Sequence, residues 1–227
     1  MNKHRFLSLK LATLLVPTLA IISGCQTVTP LAFLNIQDGS KSFLEDQVSV
    51  ELAQDLCTEA VRHLPVNSYI GQIDVTGEQE IPSSWVKMTS RRTALGDCQK
   101  TVQLISHVET RGTLACYAGR SAITMLDKVN MPKLVLLHIQ ANEQEKTPCP
   151  EVWQELGHAL GVEAQMVMVL SSHPLGKALN QQVYTALQNH SQVQFCKPDK
   201  AVACVGRAVE ALNHLDNSVL QQAPQTH

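Results

Sequence analysis

The sequence predicts an α/β domain, a mixed and mostly parallel sheet with flanking helices in two or three layers, stapled by disulfides. Three observations carry that expectation. Strand and helix patterns alternate through the second half of the chain. Two segments, Leu134–Leu137 and Met166–Ser171, are apolar on both faces, as central parallel strands are. Cysteines are numerous, and six of the seven lie beyond residue 25, an even set. The 227 residues, 44% of them hydrophobic, are enough for one domain with a sizeable core. Lys+Arg 18 against Asp+Glu 20 excludes a charge-driven nucleic-acid binder, so no nucleic-acid partner is expected.

The first element is a leader. Lys3, Arg5 and Lys10 precede an apolar run from Leu11 to Ile22, too short for a membrane span of about 20 residues. That layout is a secretory signal peptide over residues 1–24. Ile22-Ser23-Gly24-Cys25 resembles the bacterial lipobox, in which small residues precede a cysteine that is diacylated and becomes the new first residue. The resemblance covers this segment alone. It implies a lipoprotein with acyl chains, palmitate among them, on Cys25, and therefore a membrane partner. Gln26 follows the cysteine where inner-membrane retention favours Asp, so the expected location is the periplasmic face of the outer membrane. Removing 1–24 takes away three basic residues and no acidic one, leaving 203 residues at net −5. That acidity argues for anchoring by acyl chains rather than by docking on anionic lipid.

With Cys25 acylated, Cys57, Cys98, Cys116, Cys149, Cys196 and Cys204 remain for three disulfides in an oxidising periplasm. Six cysteines allow 15 pairings. Only Cys196 and Cys204, which bracket the turn-like Lys197-Pro198-Asp199-Lys200, suggest a particular bridge. No CxxC and no zinc-type Cys/His spacing occurs, so neither a metal nor a cofactor is expected.

Residues 25–43 are polar and small in part, with Asp38-Gly39-Ser40, and read as a flexible tether. The domain is expected over 44–215, with a frayed tail at 216–227. Leu44, Val48, Leu52 and Leu56 recur at i+4 and mark a helix that Pro65 ends. Tyr69, Ile73 and Val75 mark a half-buried strand, and a short strand is expected near Trp85–Met88. Val102–Val108 alternates as a strand, and Gly112–Val129 has helical spacing. Lys133–Gln140 is a strand. Pro150 opens a helix that Gly161 closes. After Met166–Ser171, Pro174 opens a helix with Leu175, Leu179, Val183 and Leu187 on one stripe. Gln192–Cys196 is an outer strand, and Val202, Val205, Val209 and Leu212 mark a last helix.

Chemistry is hard to find. There is no P-loop, no GxGxxG and no HExxH; Gly119-Arg120-Ser121-Ala122-Ile123 lacks the second glycine of a nucleophile elbow. His138 and His173 stand at the carboxyl ends of two consecutive strands, where α/β sheets bind ligands. If the strands are parallel neighbours, both histidines line one crevice with Ser171 and Ser172. Trp85, in a polar segment beside Arg91 and Arg92, has the composition of an interface centre. The run from Leu175 to Leu212, apolar helix, short strand, helix, is similar in pattern to small α/β domains of envelope assembly lipoproteins. That pattern implies a non-enzymatic accessory or assembly factor that binds a protein partner in the cell envelope or a secretion system. The alternative is a periplasmic hydrolase or small-ligand binder using the His138/His173 crevice.

Overall fold

The structure is a computed structural model that describes residues 29–75, 81–82, 84–105, 115–140 and 149–221. The expected signal peptide over 1–24, Cys25 and the last residues of the tail, 222–227, lie outside the described residues.

The first strand, β1 (Ala32–Asp38), is buried along its whole length. The expected tether is therefore much shorter, and the folded domain starts at Leu31, not at 44. Asn35 and Gln37 interrupt the apolar run and hide the strand in the sequence. Both are buried, and Asn35 is paired across the sheet with Gln72. A five-residue helix, α1 (Lys41–Glu45), leads into α2 (Gln47–His63). Then come β2 (Tyr69–Val75), the short β3 (Ile81–Pro82) and β4 (Val86–Lys87), and α3 (Arg91–Ile105). The strand expected over Val102–Val108 is the end of α3 up to Ile105; 106–114 lie outside the described residues. The i+4 spacing of Ala94, Cys98 and Val102 outweighs the short alternation that follows it.

From here the order matches the sequence pattern: α4 (Ala115–Leu126), β5 (Lys133–His138), α5 (Pro150–Leu160), β6 (Ala164–Val169), α6 (Pro174–Leu187), β7 (Val193–Cys196) and α7 (Pro198–Gln221). Pro150 sits in the first turn of α5, where a missing N–H costs nothing. Gly161 ends it at φ 72, a conformation other residues rarely adopt. α7 runs on to Gln221, past the point at 216 where fraying was expected.

The seven strands form one sheet in the order β3-β2-β1-β5-β6-β7, with β4 also pairing β2. β2, β1, β5, β6 and β7 are parallel; β3 and β4 are antiparallel edge pieces. Leu34, Ile36, Val135, Leu137, Met166 and Met168 face α4–α6, with Trp153 fully buried among them. Phe33, Leu134, Leu136, Val167 and Val169 face α2, α3 and α7. The domain has three layers.

Three disulfides fasten helices to their neighbours: Cys57–Cys98 joins α2 to α3, Cys116–Cys149 joins α4 to the residue before α5, and Cys196–Cys204 joins β7 to α7. The bridge across the 197–200 turn is among them.

Candidate functional site

After β1 the chain crosses to β2 on one side of it, and later returns to β5 on the other. Strand order therefore reverses between β1 and β5, the point at whose carboxyl ends open α/β sheets place a ligand crevice. What lines it follows from the five residues closing β1, Asp38-Gly39-Ser40-Lys41-Ser42.

Asp38 is fully buried and Ser40 nearly so. The Asp38 carboxylate accepts the Ser40 N–H on Oδ1 at 2.8 Å, a turn that an Asp side chain makes with its own backbone. Its Oδ2 accepts the Gln140 N–H at 2.9 Å, from the loop after β5. Ser40 caps α1, its Oγ accepting from Phe43 N, and lies 3.2 Å from the Ser42 hydroxyl. Gln140 also donates through Nε2 to Asp46, the N-cap of α2. The Ser49 hydroxyl, 2.6 Å away, holds the Asp46 carboxyl below the usual carboxylate range. On the far side the Ser171 hydroxyl donates to the Gln140 carbonyl, and Asn180 binds both the N–H and the carbonyl of Ser171. One hydrogen-bonded chain thus ties the ends of β1, β5 and β6. A side chain at Gly176 would collide with the Gln140 carbonyl, so only glycine lets α6 approach this closely.

β5 and β6 are parallel neighbours, which places His138 and His173 at this edge as the sequence suggested. Their side chains differ in setting. His138 lies on the opposite face from Asp38, under the Phe43 ring at 5.3 Å between centroids. It is buried, its Nδ1 has no hydrogen-bond partner, and burial alone pushes its pKa down to about 4. A buried imidazole held neutral is poorly placed as a base for a substrate in the crevice. His173 is half-buried, and its N–H donates to Ser171 Oγ. On the His138 face, Gln37 pairs in register with both Asp74 and His138. Asn35 donates to Gln72, which donates to Asp74 at 2.6 Å. Burial pushes Asp74 up to about 6.

Trp85 and Arg91 are engaged within the fold. Trp85 Nε1 donates to the Met125 carbonyl at 3.1 Å, and its ring covers Gly71, so it closes one end of the core. Arg91 donates to the Leu64 carbonyl at the end of α2 at 2.9 Å, while Arg92 is exposed. A second hollow of about 310 Å³ lies between α2 and α3, walled by Val61, Ile70, Met88 and the Cys57–Cys98 bridge. Lys87 and Asp97 are the Lys and Asp of its lining.

Asp38, Ser40 and Ser42 were not singled out in the sequence. The signal was present: a carboxylate and two hydroxyls at i, i+2 and i+4, closing the segment Leu31–Gln37. Among the described residues no group of three or more His, Cys, Asp or Glu could hold a metal. The Asp38 set supplies one carboxylate and two hydroxyls, all hard oxygens. That chemistry fits Mg²⁺ or Mn²⁺, which accept water for the rest of the shell, and does not suit Zn²⁺.

No family model and no curated protein matches the sequence. Solved structures do match in shape. A von Willebrand factor type A protein from Catenulispora acidiphila superposes with a TM-score of 0.57 at 11% identity, over 81% of this chain and 43% of that one. An aerotolerance-related membrane protein from Bacteroides fragilis gives 0.53 at 14% identity, over 83% of this chain and 99% of that one. The manganese-loaded TRAP protein of Plasmodium vivax gives 0.54 at 14% identity, over 80% and 74%. The chain spans less than half the length of the first two such structures, the Catenulispora protein and human Sec24c. The mixed, mostly parallel sheet with flanking helices is a von Willebrand type A-like fold.

Proposed function

We propose that the chain is a bacterial envelope lipoprotein, held through acyl chains on Cys25 to the periplasmic face of the outer membrane, whose domain binds a protein partner without catalysing a reaction. The observation that carries the binding role is the Asp38–Ser40–Ser42 group in the crevice between β1 and β5. It offers a buried carboxylate and two neighbouring hydroxyls. Adhesins and a membrane protein among the structures of like fold support a binding role. A manganese-loaded protein among the structures of like fold is consistent with a bound cation. Asp38, Ser40 and Ser42 would hold it; a divalent cation with open positions attracts an acidic side chain of a partner. Asp38 then fixes the loop through the Ser40 N–H, and the Gln140 N–H locks it to the end of β5.

The test is photo-crosslinking from position 117, an exposed tyrosine in the first turn of α4 at this edge. The full acylated chain in native membranes should capture a partner, and Ser42→Ala and Asp38→Asn should lose it while melting as cooperatively as the parent. Mn²⁺ titration followed by electron paramagnetic resonance should show one site weakened by both substitutions. Capture unchanged in both variants would reject the crevice as the docking site. A chain that starts at Met1 without acyl mass would reject the anchor.

A further inference from the structure

We infer that the amino-terminal edge of the sheet is a second interaction surface, one that rests on the anionic phospholipid headgroups of the leaflet to which the chain is tied. The inference rests on the lipoprotein reading for where the membrane is, but the edge itself is drawn by the fold. All five parallel strands begin there, so the connections entering them share it: 64–68 before β2, 127–132 before β5 and 161–163 before β6. β4 runs the other way and ends there, with Met88 N donating to the Ser68 carbonyl and Asn67 N to the Met88 carbonyl. α3 therefore also starts at this edge.

The edge gathers Lys87, Arg91, Arg92, Lys128 and Lys133, and none of these is in an ion pair among the described residues. Arg62 is there too, but Glu59 accompanies it. Against them stand Asp127, Glu163, Glu210 on α7 and Asp97, which lines the hollow beside Lys87 and pairs with Lys100. Five bases against four acids, one of those already paired, reverse the balance of the mature chain, which is net −5. An average charge that argued against docking on lipid thus conceals a basic edge. Among these charges Val66, Val86 and Val162 are exposed, Val162 at 93%. Apolar side chains set among bases are what a headgroup layer accepts.

The tether delivers this edge to the membrane. Leu31 is bound at the start of β1, its N–H to Ser68 Oγ and its carbonyl to Tyr69 N–H. Cys25 is six residues earlier, a reach of roughly 20 Å at full extension. Attraction that salt screens in free solution suffices once the surface is held that close. The crevice of Asp38 lies a further strand length away, roughly 23 Å for seven residues, and points into the compartment.

The acylated full chain, reconstituted in vesicles, tests this by amide hydrogen exchange. In phosphatidylglycerol-containing vesicles, 64–68, 87–92, 127–133 and 161–163 should exchange more slowly than in neutral phosphatidylcholine, and residues 38–42 should not change. High salt should abolish the difference. Reversing Lys87, Arg92 and Lys128 to Glu, all exposed, should do the same and lower headgroup association at least about 100-fold, since each basic residue contributes about fivefold. Equal exchange in the two vesicle types would overturn the inference. So would protection that appears only in native membranes, which would give the edge to a protein. Intact mass scores the anchor separately: if the acyl groups are absent, the same chain should still sediment with phosphatidylglycerol vesicles at low salt, and failure to do so would overturn the edge alone.

Discussion

Asp74 and His138 flank Gln37 on neighbouring strands, both buried, and they pull stability in opposite directions with pH. Asp74 titrates near 6 in the fold and at 3.8 when unfolded. Its neutral form is the one the fold prefers, so its contribution is whole below 3.8 and is lost as pH rises through 6. At 1.36 kcal/mol per unit the loss is about 3 kcal/mol. His138 titrates near 4 in the fold against an ordinary 6.5, again through burial. Its neutral form is favoured, so its contribution is whole above 6.5 and is lost, also by about 3 kcal/mol, as pH falls through 4. Between pH 4 and 6 the two slopes cancel. Each variant should uncover the other. Asp74→Asn should gain about 3 kcal/mol on going from pH 4 to 6.5, while His138→Leu should lose about that much from pH 4 to 6. Urea unfolding followed by tryptophan fluorescence measures this, and taking each variant's difference from the parent removes the background of exposed carboxylates. Flat difference curves would refute the reasoning, since burial would then not be displacing either group.

The disulfides should rank by the loops they close. Replacing both cysteines of the pair with serine should cost about 4 kcal/mol at Cys57–Cys98, whose partners are 41 residues apart, and only about 2.5 kcal/mol at Cys196–Cys204, 8 apart. Urea midpoints check the order. Gly119→Ala places a methyl 2.6 Å from Val152 Cγ1 and should destabilise by about 1–3 kcal/mol, with the double variant Gly119→Ala, Val152→Ala restoring most of it. Thermal melts of the three chains decide. Gly176→Ala pushes on the Gln140 carbonyl, so it should weaken Mn²⁺ binding at Asp38 more than it lowers the melting temperature. Loss in equal measure would mean the loop after β5 does not position Asp38.

The layers were legible where burial is two-sided. Leu134–Leu137 and Met166–Val169 are apolar throughout because helices cover both faces, and that pattern has few other causes. β1 escaped because Asn35 and Gln37 satisfy their polar groups partly against Gln72 and each other, a cross-strand arrangement that no local pattern reports. The site escaped with it: once residues 25–43 read as a tether, a carboxylate and two hydroxyls within them looked like ordinary loop composition. His138 was placed on the correct edge, but which face it takes depends on the register of β5 against β1, and that is a long-range fact. For Trp85 the deciding partner is Met125, forty residues away. In α3 the cause is local: the seven-residue alternation of Val102–Val108 competes with a longer stripe at i+4, and the stripe prevails up to Ile105.

The three bridges pair the cysteines as neighbours in chain order, first with second, third with fourth, fifth with sixth, counting from Cys57. A polypeptide threaded through a translocon meets its oxidant in that same sequence, so joining thiols as they emerge yields the native set with no reshuffling. The count works only if it begins at Cys57. An unmodified thiol at position 25 would shift every partner by one, to 25 with 57, 98 with 116 and 149 with 196. On the proposed lipoprotein reading, lipid on that sulfur would do more than moor the chain; it would set the phase of oxidative maturation.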